Sequence, residues 1–175
     1  MENQAGISKK SIMLNFGLIL GFVSIIIQLL NYVFGDIYEP HWGLMVVSFA
    51  VTTVVIILGI KKLKEGQDGL LSLGEAIKTG LGIALISAIV YSIYLVLFVN
   101  VIEPEFFTRI AQIQEQTIID NYPELSDEQL ESAIGNAAMF NSIGVHVTMT
   151  LIFSLFFGLI ISLIGGLVMK KEENE

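Results

Sequence analysis

The stretch K-K-S-I-M-L-N-F-G-L-I-L-G-F-V-S-I-I-I-Q-L-L-N-Y-V-F, residues 9–34, decides the fold. Two lysines precede an apolar run, Ile12 to Phe34, without one charged side chain. A bilayer core of ~30 Å needs ~20 helical residues to cross it, and the run is long enough. Its Ile, Val and Phe would favour strands in water. In lipid only a helix satisfies its backbone hydrogen bonds within one segment. A transmembrane barrel strand would alternate apolar and polar residues, and this run does not.

Three further runs follow, which gives spans 12–34, 42–60, 79–102 and 140–169. The fourth exceeds an upright crossing, so its first turns are expected above the membrane or the helix tilts. Composition agrees: 54% of the residues are hydrophobic and 15% charged, against roughly 25% charged in soluble domains. The two lysines before span one imitate a secretory signal. The apolar stretch is too long, however, and no small-x-small cleavage site follows, so it reads as an uncleaved first span.

The basic residues set the orientation. Lys9, Lys10, Lys61, Lys62, Lys64, Lys78, Lys170 and Lys171 all abut one side of the spans, and only Arg109 falls on the other. By the positive-inside rule both termini and the loop 61–78 are cytoplasmic. The segment 103–139 is then extracytoplasmic, and with the short loop from Gly35 it carries most of the carboxylates. The expected location is a bacterial cytoplasmic (inner) membrane, with the lipid bilayer as the first partner.

The connecting segments carry local signals. Gly35 to Pro40 is a tight turn that makes spans one and two antiparallel neighbours. Tyr32, Tyr38, His41 and Trp42 surround it, where amphipathic rings favour headgroup depth. Ser72 to Glu75 reads S-L-G-E, a capping box that starts a helix at Leu73; an ion pair of Glu75 with Lys78 at a cytoplasmic gate is the functional alternative. Pro104 sits where helices begin. Beyond it Phe106, Phe107, Ile110, Ile113 and Ile118 form one face, and Glu105, Arg109, Gln112, Glu115, Gln116 and Asp120 the other. A second capping box, Ser126 to Gln129, starts a helix at Asp127 that heads toward span four. The expectation is an amphipathic helical hairpin over 103–139, in part continuous with span four. Its apolar face can pack internally, lie on the outer leaflet or meet another protein. The tail Glu172 to Glu175 reads as a short acidic end.

Candidate sites are few. There is no cysteine, hence no thiolate metal site or thiol nucleophile. HExxH, P-loop, GxSxG and calcium-loop motifs are all missing, so no catalytic residue, metal site or cofactor is expected and the chain does not read as an enzyme. The net charge of −8 and the lack of a basic aromatic patch argue against nucleic acid. Gly17 and Gly21 form a GxxxG step in span one. In span four, Ser142, His146, Thr150, Ser154, Gly158, Ser162 and Gly166 recur every fourth residue, a slanted packing seam. It serves helices within one monomer or a homo-oligomer. Gln28, Asn31, His41, Asn100, Asn141 and His146 form a candidate polar cluster toward the outer ends of the spans. It reads as a hydrogen-bonded packing network, as a water-filled vestibule, or, with the two histidines, as a zinc site that lacks the usual spacing. No charged residue lies deep in any span, which weakens ion-coupled transport.

The pattern resembles domain-of-unknown-function family 4199, small four-span membrane proteins of bacteria. The features that carry it are Lys9-Lys10 before span one, S-L-G-E-A-I-K-T-G from Ser72 to Gly80, and the charged helical segment before span four. The resemblance covers nearly the whole chain. It implies the four-span topology, and because the family has no established activity it supplies no site residue. The sequence reading is therefore an all-α integral membrane four-helix bundle with an extracytoplasmic amphipathic hairpin between spans three and four. The expected role is structural or regulatory, through a membrane-protein partner or self-association; the alternative is a small transporter or channel component that uses the outer polar vestibule.

Overall fold

A computed structural model describes residues 8–171. Among them are six α-helices: α1 Lys9–Phe34, α2 Trp42–Glu65, α3 Leu73–Leu97, α4 Phe106–Asn121, α5 Asp127–Ala138 and α6 Ile143–Met169. A π-helical turn, Phe98–Ile102, extends α3. The described residues contain no strand; one isolated bridge pairs Leu71 with Lys171. Four helices, α1, α2, α6 and α3 with its π-turn, are long and apolar enough to cross a membrane. Large apolar side chains lie exposed along them, Phe22 at 58% and Ile164 at 59% among others. Apolar patches of this extent mark contact with lipid or protein rather than with water. The acidic tail Glu172 to Glu175 lies outside the described residues.

The chain divides into two compact units, Met1–Tyr91 with Leu151–Glu175 and Ser92–Thr150. In the first, the core gathers Ile12 and Leu20 of α1, Ile56, Ile60 and Leu63 of α2, Ala76, Ile83 and Ala84 of α3, and Ile161 of α6, with Leu71 tucked in from the loop. Glycines set the approach of the helices. A Cβ at Gly17 would stand 2.6 Å from Ile86, and one at Gly21 2.8 Å from Val90, so α1 lies directly on α3. Gly59 of α2 likewise meets Ile83, and Gly165 of α6 meets Ile57. Without a hydrophobic drive between helices in lipid, such close backbone approach is what makes van der Waals packing strong enough to hold them. The loop from α2 to α3 turns at Asp68 and Gly69, both with positive φ (53° and 83°).

In the second unit, α4 and α5 pack as a helical hairpin. The capping box expected at Ser126 is present: its hydroxyl accepts from the Gln129 amide, and the Gln129 side chain accepts from the Ser126 amide. Helix α5 does not run on into α6. Phe140 and Asn141 close a turn on the carbonyls of Ala137 and Ala138, and the Ser142 hydroxyl accepts from the Val145 amide to restart the helix at Ile143. The fourth apolar run therefore starts its helix three residues later than expected, yet still holds 27 residues.

Candidate functional site

The densest polar cluster lies at the end of the first unit where α1 and α3 begin and α2 and α6 finish. Glu75 occupies the first turn of α3, ahead of the apolar stretch 79–102. Its Oε1 accepts from Lys9 Nζ at 3.2 Å and from Gln67 Nε2 at 2.9 Å. Its Oε2 accepts from the Ser72 amide at 3.3 Å and the Ser72 hydroxyl at 3.0 Å, and the Glu75 amide donates back to that hydroxyl. The capping box is thus formed, and the ionic partner is Lys9 of α1 rather than Lys78. The Gln67 amide, then Ser72 and Lys9, hold the Glu75 carboxyl at about 2, against the opposing pull of burial. A carboxylate so held is a poor proton acceptor at neutral pH; its chemistry is that of a fixed anion tying α1, α3 and the loop together. Beside it, Lys64 Nζ donates to the Met169 carbonyl at 2.7 Å and caps the end of α6, while Leu71 and Lys171 exchange both backbone hydrogen bonds.

Four of the six outer polar candidates, Asn31, His41, Asn100 and His146, meet backbone groups within five residues. Within the first unit, Gln28 is half-buried. Asn31 donates to the Asp36 carbonyl at 3.4 Å, and its own carbonyl accepts from Gly35, which closes α1. His41 is the N-cap of α2: Nδ1 accepts from the Gly43 amide at 3.1 Å, and the ring lies against Trp42 at 5.5 Å. Within the second unit, Asn100 of the π-helical turn donates to the Val96 carbonyl at 2.7 Å. His146 Nδ1 lies 3.1 Å from the Ser142 carbonyl, and its ring meets Phe107 edge-on at 4.9 Å. Asn141 hydrogen-bonds farther along the chain, donating to Gln114 of α4 at 2.8 Å. No group of His, Asp or Glu among the described residues is arranged to hold a metal ion.

The small-residue seams both face α3. Gly17 and Gly21 receive Ile86 and Val90. On α6, Ser154 donates to the Ala84 carbonyl at 2.9 Å, Gly158 faces Ala84, Ser162 faces Gly80, and Gly166 faces Ala76. The register is antiparallel: each step of four along α3 answers a step of four back along α6. Ser162 is fully buried and turns its hydroxyl onto the Gly158 carbonyl at 2.6 Å. Sequence reading missed the α3 half of this zipper. The signal was there, since Ala76, Gly80, Ala84 and Ala88 keep the same fourfold spacing.

The apolar face of α4 follows its sequence reading at Phe106, Phe107, Ile110 and Ile118 and differs at one position. Ile113 is exposed and Gln114 is turned inward, where Ala111, Gln114 and Ile118 of α4 line a small cavity with Ile134, Ala137 and Asn141. The Gln114–Asn141 bond explains how a polar side chain holds that place. Arg109, the one basic residue of the segment, lies 3.8 Å from Glu103 and 3.3 Å from Glu105. The Arg109–Glu105 pair is exposed on both sides, and such pairs are worth about 0–1 kcal/mol.

Comparison with curated proteins and with solved structures finds no match. A family model does match, over residues 15–171, under the description "Protein of unknown function (DUF4199)". The match runs from within α1 to the lysine that pairs with Leu71, so it takes in the α3–α6 zipper and the Glu75 cluster apart from Lys9. The chain belongs to this family of proteins of unknown function.

Proposed function

We propose that this is a multi-pass protein of the bacterial cytoplasmic membrane, a four-helix bundle with both termini inside and the α4–α5 hairpin outside, and that it works through protein contacts rather than through catalysis. The apolar faces of the four long helices and the one-sided lysines support the membrane placement. One observation carries the contact role. Helix α5 is a 12-residue helix with a complete capping box and not one buried residue. It rests on α4 and leaves an acidic face, Asp127, Glu128 and Glu131, fully displayed. A helix fixed this firmly and covered this little is a surface for another chain.

A photo-crosslinking amino acid at Ser132 or Asn136 tests the reading in cells. These positions line an open face of α5, whereas Phe106 is buried and would report only on the hairpin itself. The proposal expects one discrete adduct, with a second copy or a membrane-protein partner. Uncrosslinked monomer at both positions would reject it.

A further inference from the structure

The face between α2 and α6 has a form that packing within the chain does not use. A groove of about 430 Å³ runs along it, bordered by Phe49 and Ile57 of α2 and by Ile161, Ile164, Gly165 and Val168 of α6. The hydroxyl that reaches it, on Thr53, is spent on the Phe49 carbonyl at 2.9 Å. At one end Phe49 meets Phe157 edge-on at 5.7 Å and closes it. The other end runs out among lysines. Lys61 and Lys64 follow Ile57 by four and seven residues, which puts all three on one stripe of α2. Lys61 is exposed. Lys64 donates one hydrogen to the Met169 carbonyl at the groove's lip, and an ammonium has two more to give. Glu65, next in sequence after Lys64, is engaged by Lys62 at 3.7 Å.

We propose that this groove seats one acyl chain of an anionic phospholipid, whose phosphate is held by Lys61 and Lys64. Basic lips between membrane helices on the cytoplasmic side select lipid headgroups in this way. The groove supplies what a headgroup alone would not need: an apolar trough rising from the lysines for about two turns. The inference rests on the membrane placement of the four helices and not on the hairpin's partner.

The test is native mass spectrometry of the full chain in detergent, with phosphatidylglycerol and phosphatidylcholine of identical chains. One lysine near a bilayer surface is worth about fivefold in affinity, so phosphatidylglycerol should be retained about 25-fold better. Lys61→Gln, which leaves the Lys64–Met169 bond in place, should cost about fivefold, and Lys61→Gln with Lys64→Gln should bring the two lipids level. Ile164→Trp, filling the groove from its exposed side, should lower retention of both lipids, and inorganic phosphate should displace neither. Equal retention of the two lipids by the unaltered chain, or no loss in either lysine variant, would overturn the proposal. Displacement by phosphate would overturn the acyl seat. Because the readout is in detergent, a failed crosslink at α5 leaves this result untouched, and the reverse holds too.

Discussion

Replacing Gly158 by alanine forces the α3–α6 zipper to declare itself. The new Cβ would stand 2.6 Å from the Ala84 Cβ, where ordinary contact begins near 3.4 Å. The helices must part by about 0.8 Å or distort. Overpacking of this size costs roughly 1–3 kcal/mol. The second variant is Ala84→Gly, which removes the obstructing atom at about 1 kcal/mol of helix propensity. With Ala84 gone, the next neighbour of the added methyl is the Gly80 carbonyl at 3.7 Å, an ordinary distance. The double variant should therefore be more stable than the sum of the singles predicts, by on the order of 1–2 kcal/mol. Unfolding of the purified chain in mixed micelles reads all four corners of the cycle. Additive losses, within about 0.5 kcal/mol, would refute the pairing. They would leave Gly158 free to serve a seam between copies instead.

Acid should loosen the lysine-rich end. The folded Glu75 carboxyl lies near 2, below its ordinary 4.5, so its contribution is complete above that ordinary value and is lost as pH falls from about 4.5 through 2; Glu75→Gln should be less stable at neutral pH and lack that part of the acid profile, and identical acid unfolding curves would count against the Lys9–Glu75–Gln67 cluster. Ser126→Ala should cost about 1 kcal/mol of α5 stability, seen as faster amide hydrogen exchange confined to the hairpin; unchanged exchange would remove the cap from the account. Cysteines at Gln28 and His146 should resist water-soluble thiol reagents in the proposed membrane-embedded bundle; rapid reaction at both would restore the transport alternative.

Local features were legible in the sequence. Both capping boxes were, because Ser72 with Glu75 and Ser126 with Gln129 need only a three-residue spacing and a hydroxyl beside a carboxylate or amide. The four apolar helices were legible for the same kind of reason: their length and charge-free runs are properties of one segment. What escaped depends on partners distant in the chain. Lys9 reaches Glu75 across 66 residues, and nothing in the spacing of Lys78, the nearer lysine, foretells that. The fourfold row on α6 was read without its answering row on α3, because a seam on one helix does not name the helix it meets. The inward face of α4 was drawn to include Ile113 because it is apolar. Gln114 took the inward place because Asn141, 27 residues on, satisfies its amide oxygen. Asn31, His41, Asn100 and His146 meet backbone groups a few residues away, as polar side chains near turns tend to do, and those local roles were not read from the sequence.

The central claim is a topology, and the chain is well suited to a direct measurement because it has no cysteine of its own. Single cysteines at Ser132 on α5 and at Asp68 in the α2–α3 loop would be exposed to a membrane-impermeant maleimide in intact spheroplasts. The account predicts labelling at Ser132 without permeabilisation, and at Asp68 only after it. Labelling of Asp68 in intact spheroplasts, with Ser132 protected, would contradict it.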